Sequence, residues 1–330
     1  MNVFLAGASG AIGLPLLRAL NEAGHNVTAL TRSADKISLL RDAGARTVAV
    51  GDALDEQAAA AHLIAAEPDV VINQLTAIPA DVDPKGYREA FEPTNRLRTQ
   101  GSLILTNAAA RAGARRYITQ SIAFAYEATD LTTPVAESQP LVSEPPEMMR
   151  DALAAIRTNE DRAFKSENGP QPFDGVVLRY GFFLGRGSAY RPGGGLEKML
   201  RRRQYAIVGG GRARLPMVHI DDAAAATVAA LSAPAAAGRV FNVCCDDAPT
   251  AKEFTRMWAK EVSAPRPLPA PRWLARRVAG EAAVWMATKV QPASNAAARA
   301  ALDWAPRDNT VARALRHMID DYRRGDAATA

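Results

Sequence analysis

Short apolar runs alternate with stretches of helical period along the first half of the chain. Val3-Phe4-Leu5-Ala6 is four apolar residues in a row, the pattern of a strand buried on both faces. Leu14 to Leu20 then spaces its leucines as a helix does. The pairing repeats as strand Asn26 to Leu30 with helix Lys36 to Ala43, and strand Thr47 to Val50 with helix Glu56 to Ala65. Strand Val70 to Asn73 is followed by a loop and a long helix from Tyr87 to Ala112. Tyr117 to Gln120 reads as a strand, Pro146 to Lys165 as a helix and Gly175 to Arg179 as a strand. This alternation predicts an α/β fold with a parallel, doubly wound sheet and right-handed crossovers. Ligands of such sheets bind at the carboxyl ends of the strands.

After Tyr180 the rhythm changes. Gly193-Gly194-Gly195 and Gly209-Gly210-Gly211 read as turns, because neither follows a buried strand. Short strands at Ala206 to Val208 and Leu215 to Val218 mix with helices, and Pro265 to Pro271 reads as a linker before three more helices. The expected division is a first domain over 1–180 and a smaller mixed α/β substrate lobe over 181–330. Val240 to Val243 is apolar enough to return to the main sheet.

Composition narrows the class without naming a function. A chain of 330 residues with 48% hydrophobic and 23% charged residues is that of a water-soluble globular protein. The net charge of +5 is dispersed apart from Arg201-Arg202-Arg203, and no basic patch is interleaved with aromatics, so nucleic acid is not an expected partner. The longest apolar helix candidate, Trp273 to Met286, carries Arg276, Arg277 and Glu281 and does not suit a bilayer. The two cysteines, Cys244 and Cys245, are adjacent and end a strand-like run, so packing is their expected role. With no disulfide framework and no signal peptide, a cytoplasmic location is expected.

The candidate chemistry begins at Gly7-Ala8-Ser9-Gly10-Ala11-Ile12-Gly13, between the first strand and the first helix. Gly7 permits a tight turn, Gly10 admits a pyrophosphate to the backbone, and Gly13 lets helix and strand pack closely. The backbone of Ser9, Ala11 and Ile12, with the positive end of the helix dipole, then faces the phosphates.

This spacing resembles the extended and atypical branches of the short-chain dehydrogenase/reductase superfamily, the NAD-dependent epimerase/dehydratase-like enzymes. Later segments carry the resemblance through the chain. Val176 to Gly185 resembles the segment beside the nicotinamide, Val218-His219-Ile220-Asp221-Asp222 a "V-H-V-D-D" helix start, and Leu302-Asp303-Trp304-Ala305-Pro306 an "L-G-W-x-P" packing motif. The resemblance implies a Rossmann-type fold with a nicotinamide cofactor over 1–180.

Cofactor positions follow from it residue by residue. Members that prefer NAD carry an acidic residue at the end of the second strand. Here Thr31-Arg32-Ser33 stands there, and Arg32 would pair with a 2′-phosphate, so NADP is expected over NAD. Asp52, with Ala53 beside it, matches the position that accepts from the adenine amino group, while Asp55 would cap the next helix. Gln74, Leu75 and Thr76 match the segment against the nicotinamide ribose, Asn95 matches a bracing asparagine, and Tyr180 lies in the segment beside the nicotinamide.

The catalytic pattern is only partly present. Ser121 matches the serine that hydrogen-bonds the substrate oxygen. None of the seven tyrosines has lysine four residues on, so the Tyr-x-x-x-Lys pair is missing. Aligning the following helix on Glu160 puts Ala152 at the tyrosine position and Ile156 at the lysine position. Tyr126, just past Ser121, is the substitute candidate for the acid; His219 reads as a proton donor or as a structural histidine.

The expectation is an NADP-dependent oxidoreductase that transfers a hydride to a carbonyl, imine or activated alkene of a small molecule. The alternatives are a nucleotide-sugar-type epimerase or dehydratase, and an NADP-sensing protein without turnover. No metal site is expected. The expected partner is a small-molecule substrate, not a membrane, with room for a homodimer.

Overall fold

A computed structural model describes residues 1–79, 86–166, 169–170 and 172–329. The first half folds as the alternation predicts. In chain order it runs β1 (Asn2–Ala6), α1 (Gly13–Glu22), β2 (Asn26–Thr31), α2 (Ile37–Asp42), β3 (Thr47–Val50), α3 (Glu56–Ala65), β4 (Val70–Asn73), α4 (Tyr87–Arg96), α5 (Ser102–Arg111), β5 (Arg116–Ile122) and α6 (Glu147–Phe164). A hairpin of β6 (Lys165–Ser166) and β7 (Gly169–Pro170) precedes β8 (Asp174–Tyr180) and β9 (Phe182–Leu184). The second half holds α7 (Gly195–Arg201), β10 (Ile207–Val208), β11 (Met217–His219), α8 (Ile220–Ala230), β12 (Arg239–Val243), α9 (Ala251–Glu261), β13 (Pro269–Ala270), α10 (Arg272–Thr288), α11 (Ala296–Leu302) and α12 (Val311–Thr329).

Seven strands form one sheet in the order β12-β8-β5-β4-β1-β2-β3, and every neighbouring pair is parallel. The order reverses at β1, which has β4 on one side and β2 on the other, so the carboxyl end of β1 is the switch point. The return of Val240 to Val243 to the main sheet is realised as β12 beside β8.

Two apolar layers sandwich the sheet. On one face Leu16, Leu17 and Leu20 of α1 pack with Ala223 and Ala226 of α8 and with Leu302 and Trp304. On the other, Leu63, Leu105 and Ala109 of α3 and α5 pack with Phe4, Val71 and Tyr117. Both faces of the strands are therefore covered, which is why their sequences read as continuous apolar runs. A third cluster holds the C-terminal half together around Trp258 and Phe254 of α9, with Leu315 and Met318 of α12.

Local chemistry fixes several element ends. The Asp55 carboxylate accepts from the Ala58 N–H and caps α3, and Thr250 with Glu253 forms a reciprocal capping box on α9. The long helix expected over 87–112 is α4 and α5 joined by a π-helical turn at Leu97–Gly101. The Trp273 to Met286 helix lies in α10, but Gly280, with φ 81°, kinks it midway. Of the expected linker, Pro269 and Ala270 pair with Ile207 and Val208.

Candidate active site

The glycine turn is dictated by close approaches. Gly7 has φ +87°, and a Cβ there would lie 2.6 Å from the Gln74 carbonyl oxygen. A Cβ at Gly13 would lie 2.2 Å from the Gly7 carbonyl oxygen. Gly10 differs: a Cβ would meet only that same oxygen, at 3.3 Å, and otherwise open space. Two glycines are thus needed for packing, and Gly10 leaves room for a guest. No side chain caps α1 at Ile12; the Leu14 N–H is taken by the Gly10 carbonyl at 3.3 Å and Pro15 has none, which leaves the N–H groups of Ile12 and Gly13 for an anion.

A groove of about 230 Å³ leads away from this turn, lined among others by Ser9, Gly10, Thr31, Arg32, Ala53 and Gln74. Leu75, Thr76 and Leu97 close it. Arg32 is exposed and has no hydrogen bond or ion pair among the described residues. Lys36 is held by Asp35 at 3.8 Å. The Asp52 carboxylate accepts from the Leu54 N–H at 2.9 Å, and the neighbours of Asp52, Gly51 and Ala53, line the groove. Gln74 is buried, and its Oε1 has no partner among the described residues. A groove with an uncapped helix start at one end and a free guanidinium on its wall fits a dinucleotide.

Other expected cofactor positions stand back from the groove. The Tyr180 hydroxyl is fully buried; it accepts from Gln74 Nε2 at 2.9 Å and pairs with Thr227 Oγ1 at 2.7 Å. Burial pushes that phenol up to about 12. Tyr180 therefore reaches the groove only through Gln74. Asn95 has a buried Oδ1 without a partner among the described residues. Its neighbour Thr94 is the residue that braces the loop, accepting from the Ala77 N–H at 2.9 Å.

At the carboxyl ends of β5, β8 and β12 lies a buried polar network. Ser121 Oγ donates to Glu160 Oε1 at 2.5 Å. Arg179 grips the same carboxylate twice, Nε to Oε1 at 2.7 Å and Nη2 to Oε2 at 2.6 Å. Arg179 Nη1 also donates to the Tyr126 hydroxyl at 3.0 Å, and that hydroxyl donates to Asn242 Oδ1 at 2.5 Å. Glu137 completes the set by accepting from the Asn242 N–H at 2.7 Å. Burial pushes the Tyr126 phenol up to about 12, although Arg179 beside it works in the opposite sense. For Arg179, burial disfavours the charge, but Glu160 overrides it and holds the guanidinium firmly protonated.

The network places Ser121 and Tyr126 together but commits both hydroxyls to protein partners. Ser121 is 2% exposed and Tyr126 1%. The expectation that either presents a free hydroxyl in the cleft does not match this arrangement. Arg179, Glu137 and Asn242 were not singled out as site residues; an arginine inside the apolar run of β8 was the available signal. Ala152 and Ile156 are buried on α6, with Ile156 packed among Tyr126, Met149 and Leu153. His219 is buried; it caps α8 through Nδ1 and stacks on His317 at 4.2 Å between ring centres.

Comparison with known proteins agrees with this architecture. Residues 3–244 match the model of the NAD dependent epimerase/dehydratase family. The chain belongs to that family. A Streptomyces protein named 3-diazoavenalumate denitrifying reductase is 38% identical over 307 residues, covering 93% of this chain and 96% of the relative. UDP-glucuronic acid 4-epimerase from Bacillus cereus, solved with UDP-glucuronic acid and NAD, superposes with a TM-score of 0.75 at 19% identity, covering 98% of this chain and 99% of that one. Human epimerase family protein SDR39U1, solved with NADPH, gives a TM-score of 0.73 at 20% identity, covering 97% and 100%. Family membership and the reductase relative make this chain an enzyme of the NAD(P)-dependent oxidoreductase type with a Rossmann-type sheet. Among the described residues no helix is long and apolar enough to cross a membrane.

Proposed function

We propose that this enzyme is an NADP(H)-dependent reductase of a small organic substrate, with a carbonyl, imine or activated alkene as hydride acceptor. The observation that carries the reading is Arg32, an uncommitted guanidinium on the wall of the groove that starts at Gly10. A 2′-phosphate pairs with such a group, whereas a ribose diol calls for a carboxylate.

Each expected position has a task in this reading. The backbone of Gly7, Ser9, Gly10, Ala11, Ile12 and Gly13 holds the diphosphate, and Arg32 the 2′-phosphate. Asp52 and Ala53 lie along the adenine side. Gln74, Leu75 and Thr76 face the nicotinamide ribose, with Asn95 behind them. Tyr180 holds the Gln74 amide in place by accepting from its Nε2. The bound nicotinamide supplies the hydride.

Ser121 and Tyr126 act as positioning residues in this account. Through Glu160 and Arg179 they lock the ends of β5 and β8, against which the substrate is presented. The proton that a carbonyl or imine requires comes from water. An epimerase or dehydratase needs a side chain that takes and returns a proton, and Ala152 with Ile156 offers none.

A second acceptor class is a diazo compound, favoured by the relative named as a 3-diazoavenalumate denitrifying reductase. An aryl diazonium cation accepts a hydride, forms a C–H bond and releases dinitrogen. The charges cancel, so the protein need supply no acid. The test is NADPH oxidation followed by absorbance with ketones, imines, enones and an aryl diazonium salt. Turnover with one class assigns the acceptor. No oxidation above background with any of them contradicts the reductase reading and leaves the sensing alternative.

A further inference from the structure

The C-terminal half contains a second cavity, of about 370 Å³, outside the cofactor groove. Its walls are aromatic and aliphatic: Phe182, Tyr190 and Tyr205 face Leu215, Met286 and the α10 residue Leu274. No lysine, arginine, aspartate or glutamate lines it. The polar side chains of the lining are Tyr190, Tyr205, Gln204 and Thr255, and the two tyrosines lie close enough to act on each other's titration, while Thr255 is committed to the Ala251 carbonyl. Burial raises both phenols above their ordinary range, so the pair stays neutral and can donate to a guest. Both rings rest edge-on against Trp258, at 5.5 and 5.7 Å between centres, which holds them in place.

One wall residue, Phe182, ties the cavity to the segments that carry the candidate site. Phe182 lies two residues beyond Tyr180, which holds Gln74 of the cofactor groove. Its ring stacks at 3.9 Å on Phe124, three residues beyond Ser121. The rim on α10 is apolar and open to solvent, with Val278 62% exposed and Trp273 beside it 69% exposed.

We propose that this cavity binds the body of the substrate, an uncharged planar aromatic group carrying a hydroxyl or carbonyl that the Tyr190–Tyr205 pair recognises. The proposal rests on the reductase reading for the word substrate, but the binding site stands on its own geometry. Its volume falls in the range of about 300–1,000 Å³ typical of small-molecule sites, and mostly apolar walls with few convergent polar groups are their usual make-up. A nucleoside diphosphate sugar is a poor occupant, because a diphosphate stripped of water needs cationic partners and the lining holds none.

The test is fluorescence titration with 2-naphthol, naphthalene and UDP-glucose, on free protein and on protein saturated with NADPH. The wild type is expected to bind 2-naphthol more tightly than naphthalene and to ignore UDP-glucose. Ala275→Trp fills the cavity and should abolish both aromatic isotherms while leaving NADPH affinity unchanged. Tyr205→Phe keeps the volume and should remove the preference for 2-naphthol, about two- to tenfold for one neutral hydrogen bond. Undiminished 2-naphthol binding in both variants, no saturable aromatic binding in the wild type, or displacement by UDP-glucose would overturn the proposal. Saturable binding of 2-naphthol without NADPH oxidation on any acceptor sinks the reductase reading and leaves the cavity assignment intact.

Discussion

Arg179 and Glu160 form a two-point ion pair, 2.6 Å at its shorter contact, with both side chains at most 10% exposed. It ties the C-terminal third of α6 to β8, and it is the hub to which Ser121 and Tyr126 attach. Two buried charges recover the cost of leaving water only while both are present. Glu160→Gln leaves the guanidinium unpaired and should cost about 3–5 kcal/mol in urea unfolding. The double variant Glu160→Gln/Arg179→Met should regain much of that loss. A single variant as stable as the wild type would mean that the pair does not hold these elements together.

Tyr126 should behave as a strut. With its phenol pushed up to about 12, it does not ionise in the working range, and no alkaline limb of the kcat profile below about pH 10 should belong to it. Tyr126→Phe should change kcat by less than tenfold, against the roughly 10²–10⁴-fold of a positioned general acid. It should cost about 1–3 kcal/mol of stability, because Asn242 and Arg179 lose a buried partner. A hundredfold fall in kcat with stability unchanged would make it the acid instead.

The glycines separate binding from folding. Gly10→Val should eliminate NADPH binding and keep the wild-type circular dichroism spectrum, since only the phosphate space is filled. Gly13→Val should instead yield unfolded or insoluble protein, because its Cβ would collide with the backbone of Gly7 and Ala8. Equal NADPH affinity in Gly10→Val and wild type would leave the turn a purely structural feature.

His219 gives the fold an acid-side weakness. Burial holds its imidazole below the ordinary pKa; Asp221, Asp308 and Asp222 oppose this, and His317 reinforces it. The unfolded chain takes up the proton near about pH 6.5, while the folded one resists until lower pH. The unfolded state therefore binds more protons in that window, and stability falls as pH drops through it. His219→Asn keeps a good N-cap for α8 and should flatten the loss between pH 7.5 and 5.5 in urea titrations. An unchanged slope would remove His219 as its source.

The elements of the first half were legible because the central strands β1, β4 and β5 are buried on both faces, so local hydrophobicity reports the layering directly, while the edge strand β3 keeps only Ala49 buried. The return of β12 was legible for the same reason. The kink at Gly280 was not, since a glycine inside a helical pattern is tolerated as often as it breaks the helix. The Glu160–Arg179 hub joins α6 to β8 across 19 positions, and the Tyr190–Tyr205 pair brings two loops together across 15, where spacing carries no signal. The inward turn of Tyr180 was equally hidden: a strand buried on both faces does not say which face points to ligand.

The free guanidinium of Arg32 decides between the two cofactors. Calorimetric titration of the wild type and Arg32→Ala with NADPH and NADH measures it. A charge-assisted hydrogen bond contributes about 1.5–3 kcal/mol, so the wild type should prefer NADPH by roughly ten- to 150-fold, and Arg32→Ala should lose that preference without losing NADH. Equal affinities for the two cofactors in the wild type, or full NADPH affinity in Arg32→Ala, would contradict it.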